Sequence, residues 1–344
     1  MAYNVRTRKG NWRTQRGSDL RDGHFLAGAD VSKMKRGASM GVGRKRLAKG
    51  ISRRGLIVGA TLFATGTLAG FYLYSASGSQ AETLKSLRQL THYHGIAVDR
   101  RDPRRLLLAT HNGFYLVNPD GQVLRTSPVQ DFMGFTPHPS AVGVLYASGH
   151  PAGGGALGLI RSNDNGLNWK QISLGLGGPV DFHAMDASPV DPNVIYGSFH
   201  GIQVSRDGGI SWEQAGPAPE KLVGLAASRS SADRIYAATQ NGLLLSTDAG
   251  KSWTTAAFGG ETVSMVSMGP GSKVYAFVVG KGLQEGNDDA LNSWTELSTA
   301  FGDQVLLHFA VDPKDPARLY STTNDNVVLA STDGGHSWRP FGGG

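Results

Sequence analysis

The side chains with the most chemistry to offer in this 344-residue chain are histidines. His92 and His94 lie two apart in "THYHGIAV", His183 stands in "DFHAMDAS", and His111, His150 and His200 occur in "THNG", "SGHP" and "SFHG". Neutral imidazoles suit Zn, Cu, Fe and Ni, and a thioether beside them biases a site toward Cu(I). Met133 supplies a thioether: "DFMGF" places it where "DFHAM" places His183, with Asp131 and Asp181 two residues ahead. His92, His94, His111, His150, His183, His200 and Met133 are therefore candidate ligands of a transition metal such as Cu or Zn. No compact His-Glu-x-x-His motif accompanies them. Two alternatives stay open. Asp131 and Asp181, with Glu261 and Asp303 as further carboxylates entering strands, are candidates for the acid and the nucleophile or base of glycoside hydrolysis. Otherwise the histidines tie loops together by hydrogen bonds, and the molecule displays a surface for a protein or glycan ligand.

Such residues need elements to position them. "SNDNGLNW" from Ser162, "SRDGGISW" from Ser205, "STDAGKSW" from Ser246 and "STDGGHSW" from Ser331 repeat one octet at spacings of 43, 41 and 85 residues. A worn copy, "NDDALNSW" from Asn287, fills the double gap and keeps Asp289 and Trp294. Another, "NPDG" from Asn118, keeps Asp120. Each of the six units is led in by an apolar strand, a turn often containing Asp-Pro, and a second strand, as in "HGIAVDRRDPRRLLLAT". Four short strands per unit at this period predict an all-β fold, a six-bladed β-propeller over residues 91–341. Within the octets an acid caps turn amides, glycine supplies a positive φ and tryptophan packs between blades. Asp164, Trp169, Asp207, Trp212, Asp248, Trp253, Asp333 and Trp338 are accordingly read as structural.

With blades assigned, the histidines fall on the face away from the octets. His92, His94 and His183 precede first strands, and His111, His150 and His200 follow second strands, all in blades one to three. Blades four to six carry Gln240, Lys281 and Asn324 at the latter place. His138 and His336 belong to the octet face, and His308, inside a first strand, can face either channel or core. The glycine-rich run after His150 is a long connection or a lid; it lacks the Lys-Ser/Thr of a phosphate loop.

The pattern Ser-x-Asp-x-Gly-x-x-Trp resembles the Asp-box, or BNR, repeat of sialidases, sortilin-type receptors and photosystem assembly propellers. The order "HGIAV", "SGHP", "DFHAM" is similar to small exported Asp-box proteins named glycosyl hydrolases. The resemblance implies that the boxes sit between third and fourth strands, opposite the ligand face. The chain departs from sialidases in lacking a Phe-Arg-Ile-Pro opening and a triad of arginines, since Arg161 adjoins one box and Arg125 lies in a worn one.

The formal charge is +7, but residues 1–54 hold fifteen Lys or Arg against three Asp, or +12, which leaves −5 for the rest. A mildly acidic folded part argues against nucleic-acid binding. The absence of cysteine excludes disulfides and thiolate metal sites. Residues 1–54 read as a disordered basic leader, starting from Met1 or Met40, and residues 55–74 as a transmembrane helix or signal h-region. A linker, 75–90, follows. Arg53 and Arg54 on the N-terminal flank put the propeller on the extracytoplasmic side of a bacterial cytoplasmic membrane, or secreted after cleavage. "SRRGLI" resembles a twin-arginine signal.

Overall fold

The computed structural model describes residues 82–343, so the expected leader and hydrophobic helix lie outside the described residues. Among the described residues no helix is long and apolar enough to cross a membrane. The chain forms six antiparallel sheets, each from consecutive strands. Blade one contains β1 (Glu82–Thr83), β2 (Tyr93–Val98), β3 (Leu106–Thr110), β4 (Gly113–Val117) and β5 (Gln122–Arg125). Blade two contains β6 (Gln130–Pro137), β7 (Leu145–Pro151), β8 (Leu159–Ser162) and β9 (Lys170–Ser173). Blade three contains β10 (Met185–Ala187), β11 (Ile195–Ser198), β12 (Ile202–Ser205) and β13 (Glu213–Gly216). Blade four contains β14 (Leu222–Ala227), β15 (Ile235–Thr239), β16 (Gly242–Ser246) and β17 (Thr254–Ala257). Blade five contains β18 (Val263–Met268), β19 (Lys273–Val278), β20 (Gly282–Asn287) and β21 (Ala290–Ser298). Blade six contains β22 (Leu306–Val311), β23 (Leu319–Thr323), β24 (Val328–Ser331) and β25 (Arg339–Pro340).

The first strand of each blade lines the axis, and β22 packs against β2 to close the ring. Second strands are buried on both faces, so they read as continuous apolar runs with a tyrosine in five of them: Tyr146, Tyr196, Tyr236, Tyr275 and Tyr320. Residues 82–90, counted with the linker in the sequence, are part of the domain. β1 pairs with the outer edge of β5, and α1 (Leu84–Leu90) follows from a Thr83/Ser86 capping box. Leu84 and Leu87 of α1 join Leu106 and Leu108 of blade one with Tyr320 and Val328 of blade six in one apolar cluster. The helix thus stitches the seam where the ring closes.

The boxes behave as turn caps. In the second, the Ser205 hydroxyl donates to Asp207 Oδ1 at 2.9 Å and accepts from Gly209 N at 2.8 Å, while Asp207 Oδ1 accepts from Ser211 N at 2.9 Å. Gly209 has φ +91°, and a Cβ there would stand 2.1 Å from Leu159 of the preceding blade. Trp212 is half-buried rather than enclosed; its ring lies 4.8 Å from that of Phe182, and its Nε1 donates to Gly209 O at 3.1 Å. The boxes of Asp164, Asp248 and Asp333 repeat the serine and glycine bonds. In the worn fifth copy a tight β20–β21 hairpin replaces the box. Asp289 there accepts from the Ser272 hydroxyl, and Trp294 packs against Phe258.

Candidate functional site

Strand register decides which histidines meet. Tyr93 pairs with Thr110, and His111 N donates to His92 O, so His111 stands opposite His92. Asp131 pairs directly with His150. His111 and His150 therefore occupy the same place in successive blades, the end of the second strand on the mouth face. Each reaches across the interblade groove to an aspartate of the next blade, Asp131 near the start of β6 and Asp181 in the segment leading into β10. His111 Nδ1 is 2.6 Å from Asp131 Oδ2, and His150 Nε2 is 2.8 Å from Asp181 Oδ2. A third imidazole completes each set: His94, with Nε2 3.9 Å from Asp131 Oδ1, and His183, with Nε2 2.7 Å from Asp181 Oδ2. The ligand-type atoms of His94, His111 and Asp131, and those of His150, Asp181 and His183, lie within 4.8 Å of one another in each set.

The two aspartates are shielded while most of the imidazoles are open. The Asp181 side chain is 10% exposed against 41% for His150 and 63% for His183. His94 Nε2, Asp131 Oδ1 and Asp181 Oδ1 are buried without a hydrogen-bond partner. Burial, helped by the charges of His111, His308, His183 and His92, pushes the His94 imidazole down to about 3, so it is neutral near pH 7. The hydrogen bond to Asp181 instead raises His183. The glycine-rich run folds back over His150, whose Nδ1 bonds to Gly155 O, and Leu157 N donates to Gly149 O at 2.8 Å.

Other candidates lie apart from these sets. His92 is exposed, edge-on to His111 at 5.8 Å between ring centroids and 3.4 Å from the Asn326 amide. His200 adopts φ +53° and packs on Phe199, with ring centroids 4.2 Å apart. Met133, half-buried, sits at the β6 bulge between Phe132 and Gly134. Glu261 pairs with Lys281 at 2.8 Å, and Asp303 is exposed. His138 caps its own turn on the box face by accepting from Ala141 N.

Below the mouth the channel holds a cavity of about 210 Å³, lined by His94, His183 and His308 among inner-strand residues of all six blades. His308 thus faces the channel. Its Nε2 donates to Tyr93 O at 3.1 Å, and burial pushes the ring down to about 4. Asp186, which the sequence reading passed over, also lines this cavity. It accepts from the Thr136 hydroxyl at 2.8 Å and from Ala227 N at 2.9 Å, joining blades two, three and four, and burial raises its carboxyl. The signal was present in register: equivalent positions hold Ala97, Thr136, Ala226, Ser267 and Ala310, so Asp186 is the one acid among small residues.

Comparison with known proteins agrees with this architecture. A family model described as BNR/Asp-box repeat matches residues 203–214, the second clear box. No curated protein matches the chain in sequence. Among solved structures it is similar to a GH74 xyloglucanase from Xanthomonas campestris, at 20% identity and TM-score 0.51, over 73% of this chain and 45% of that one. It is also similar to a GH74 enzyme from Niastella koreensis, at 15% identity and TM-score 0.52, with the same coverage. A third similar structure is YCF48 from Cyanidioschyzon merolae, at 16% identity and TM-score 0.47, over 73% of this chain and 84% of that one. The chain spans less than half the length of the two GH74 enzymes, and at these identities the likeness is one of fold. The chain is a six-bladed β-propeller built on BNR/Asp-box repeats.

Proposed function

We propose that this propeller is a ligand-binding module whose mouth holds a transition metal ion, with His150, Asp181 and His183 as protein ligands. The observation that carries the reading is the placement of the His150 ring. Its Nδ1 faces the carbonyl oxygen of Gly155, which can only accept, so Nδ1 bears the proton. A neutral ring then turns a bare Nε2 toward Asp181 Oδ2, 2.8 Å away, lone pair against lone pair. A cation shared by the two resolves that conflict. A second ring proton also resolves it, and that proton is the one a metal would displace. His183 Nε2 meets the same oxygen, and Asp181 Oδ1 is buried without a partner.

Two imidazoles and a carboxylate suit Zn, Cu(II) or Fe, and three protein ligands leave a coordination position for an outside ligand. The Gly155 carbonyl is the outer support that orients a metal-bound imidazole. Elemental analysis of the full-length chain, purified without chelators, checks the reading. Metal is expected in the parent, and the ion held by His150, Asp181 and His183 is expected to be lost in His183→Ala and in Asp181→Asn, so that metal content falls in both; both changes alter the mouth rather than the core. Unchanged metal content in both variants would rule the ligand set out. The second reading, glycoside hydrolysis by Asp131 and Asp181, draws support from the two carboxylates at the mouth and the likeness to GH74 enzymes. It requires that Asp131→Asn or Asp181→Asn abolish turnover of a glycoside that the parent cleaves, with or without metal present.

A further inference from the structure

The His111 and Asp131 pair repeats the His150 and Asp181 pair of the proposed metal site one blade earlier, with His94 of blade one as its third member where Met133 takes the place of His183, and the two sets share a rung of one hairpin. Asp131 of the first set and His150 of the second are direct cross-strand partners on β6 and β7. Directly opposed residues in an antiparallel pair have Cα atoms about 4.5–5.5 Å apart and point to the same side of the sheet. The two sets are therefore neighbours. The sets are also related by chain logic, since each takes a histidine from the end of one blade's second strand and an aspartate from the start of the next blade's first. Blade two gives Asp131 to the first set and His150 to the second, so it is common to both.

Each set is short of partners in the same way. His94 Nε2 and Asp131 Oδ1 are buried and unbonded in the first, and Asp181 Oδ1 in the second. Buried polar atoms of this kind call for an ion or an ordered water. His94 and His183 also line one cavity, so positions left open by the three protein ligands of each set face the same space.

We infer that the mouth is a paired metal centre, with one transition-metal ion in each set and their open positions turned toward a shared oxygen-donor ligand such as water or a small oxyanion. This rests on the metal reading given above and extends it to a second, adjacent ion. In paired sites of this type the two ions polarise one bridging oxygen from both sides. The rung between Asp131 and His150 would hold the spacing of the ions, because a sheet hairpin resists shear.

Titration of the full-length chain with Cu(II) as probe, followed by elemental analysis and electron paramagnetic resonance, tests the inference. The expected result is two ions per chain, with dipolar broadening and a half-field signal growing in as the second ion binds. His111→Ala and His183→Ala should each retain one ion with an uncoupled spectrum. Both side chains are solvent-accessible, His111 at 40% and His183 at 63% exposure, and neither is part of the apolar core, so the fold should survive, which circular dichroism verifies. His111→Gln provides a second, milder probe of the first set. Two ions without coupling would overturn the pairing while leaving the metal reading intact. So would one ion per chain that is lost in His183→Ala and kept in His111→Ala. No bound ion in the parent would overturn both.

Discussion

At the scale of single residues, the boxes and the mouth use the same side chain for different ends. Asp207 is one of four equivalent acids whose oxygens accept from a serine hydroxyl and turn amides, and those bonds favour its charged form. The Ser211 hydroxyl and amide, outweighing desolvation, hold Asp207 down at about 2, against an ordinary value of 3.8. The sign follows from linkage: the unfolded chain takes up a proton near pH 4 while the folded one does not. The resulting stability is present above about pH 4 and is lost as pH falls toward about 2. Asp207→Asn should lower the unfolding midpoint at pH 7, and the gap between variant and parent should close on acidification over that interval. Urea melts at several pH values check this; a gap unchanged down to pH 2 would contradict the capping account. At the mouth Asp131 and Asp181 instead face imidazoles that belong to a neighbouring blade or sit at the channel lip.

At the scale of elements, the Asp-Pro turns that link first and second strands carry a buried brace. Arg105 reaches Asp99 at 2.8 Å in blade one, and Arg318 reaches Asp312 at 2.9 Å in blade six, each aspartate having no exposed side-chain surface. Blade four keeps the arginine, Arg234, but has Ser228 in the place of the acid. The missing carboxylate comes from the next blade. Asp288, at the β20–β21 turn, lies 3.0 Å from Arg234 Nε and accepts from the Ser228 and Tyr236 hydroxyls. Burial would raise its carboxyl, but those hydroxyls and Arg234 outweigh it and hold it below the usual range. The worn box of blade five thus has a purpose in the fold. Asp288→Ala should cost about 3 kcal/mol, the scale for stranding one partner of a buried ion pair, read as a lower denaturant midpoint. The same change in the exposed Asp289 should cost much less.

At the scale of the whole molecule, the ring must close between its first and last blades, and it does so without exchanging a strand among the described residues. Blade six pairs only with itself, so the seam depends on packing between β22 and β2 and on α1. Leu87, 1% exposed, sits in the cluster that joins blades one and six. Leu87→Ala should therefore cost about 3 kcal/mol as a large-to-small change in a packed core. The loss should appear as a lower thermal midpoint and as faster hydrogen exchange in β2 and β22. Because the mouth sets lie in blades one to three, loosening the seam should disturb the His94 set before the His150 set.

The sequence by itself determined the blades. Octets at a period near 42 residues, apolar second strands and Asp-Pro turns are local signals, and each is satisfied by contacts within a few tens of residues. It also showed that histidines crowd one face of blades one to three, because strand order fixes which end of a strand a residue occupies. Tertiary structure decided which of them meet. Whether His111 reaches Asp131, whether His92 and His200 stand aside, and whether His308 looks into the channel depend on how neighbouring blades abut. That geometry is set by twist and by interblade packing. Asp288 and Asp186 escaped the sequence reading for the same reason: their partners lie in adjacent blades, and no repeat-bound pattern records a contact made between repeats.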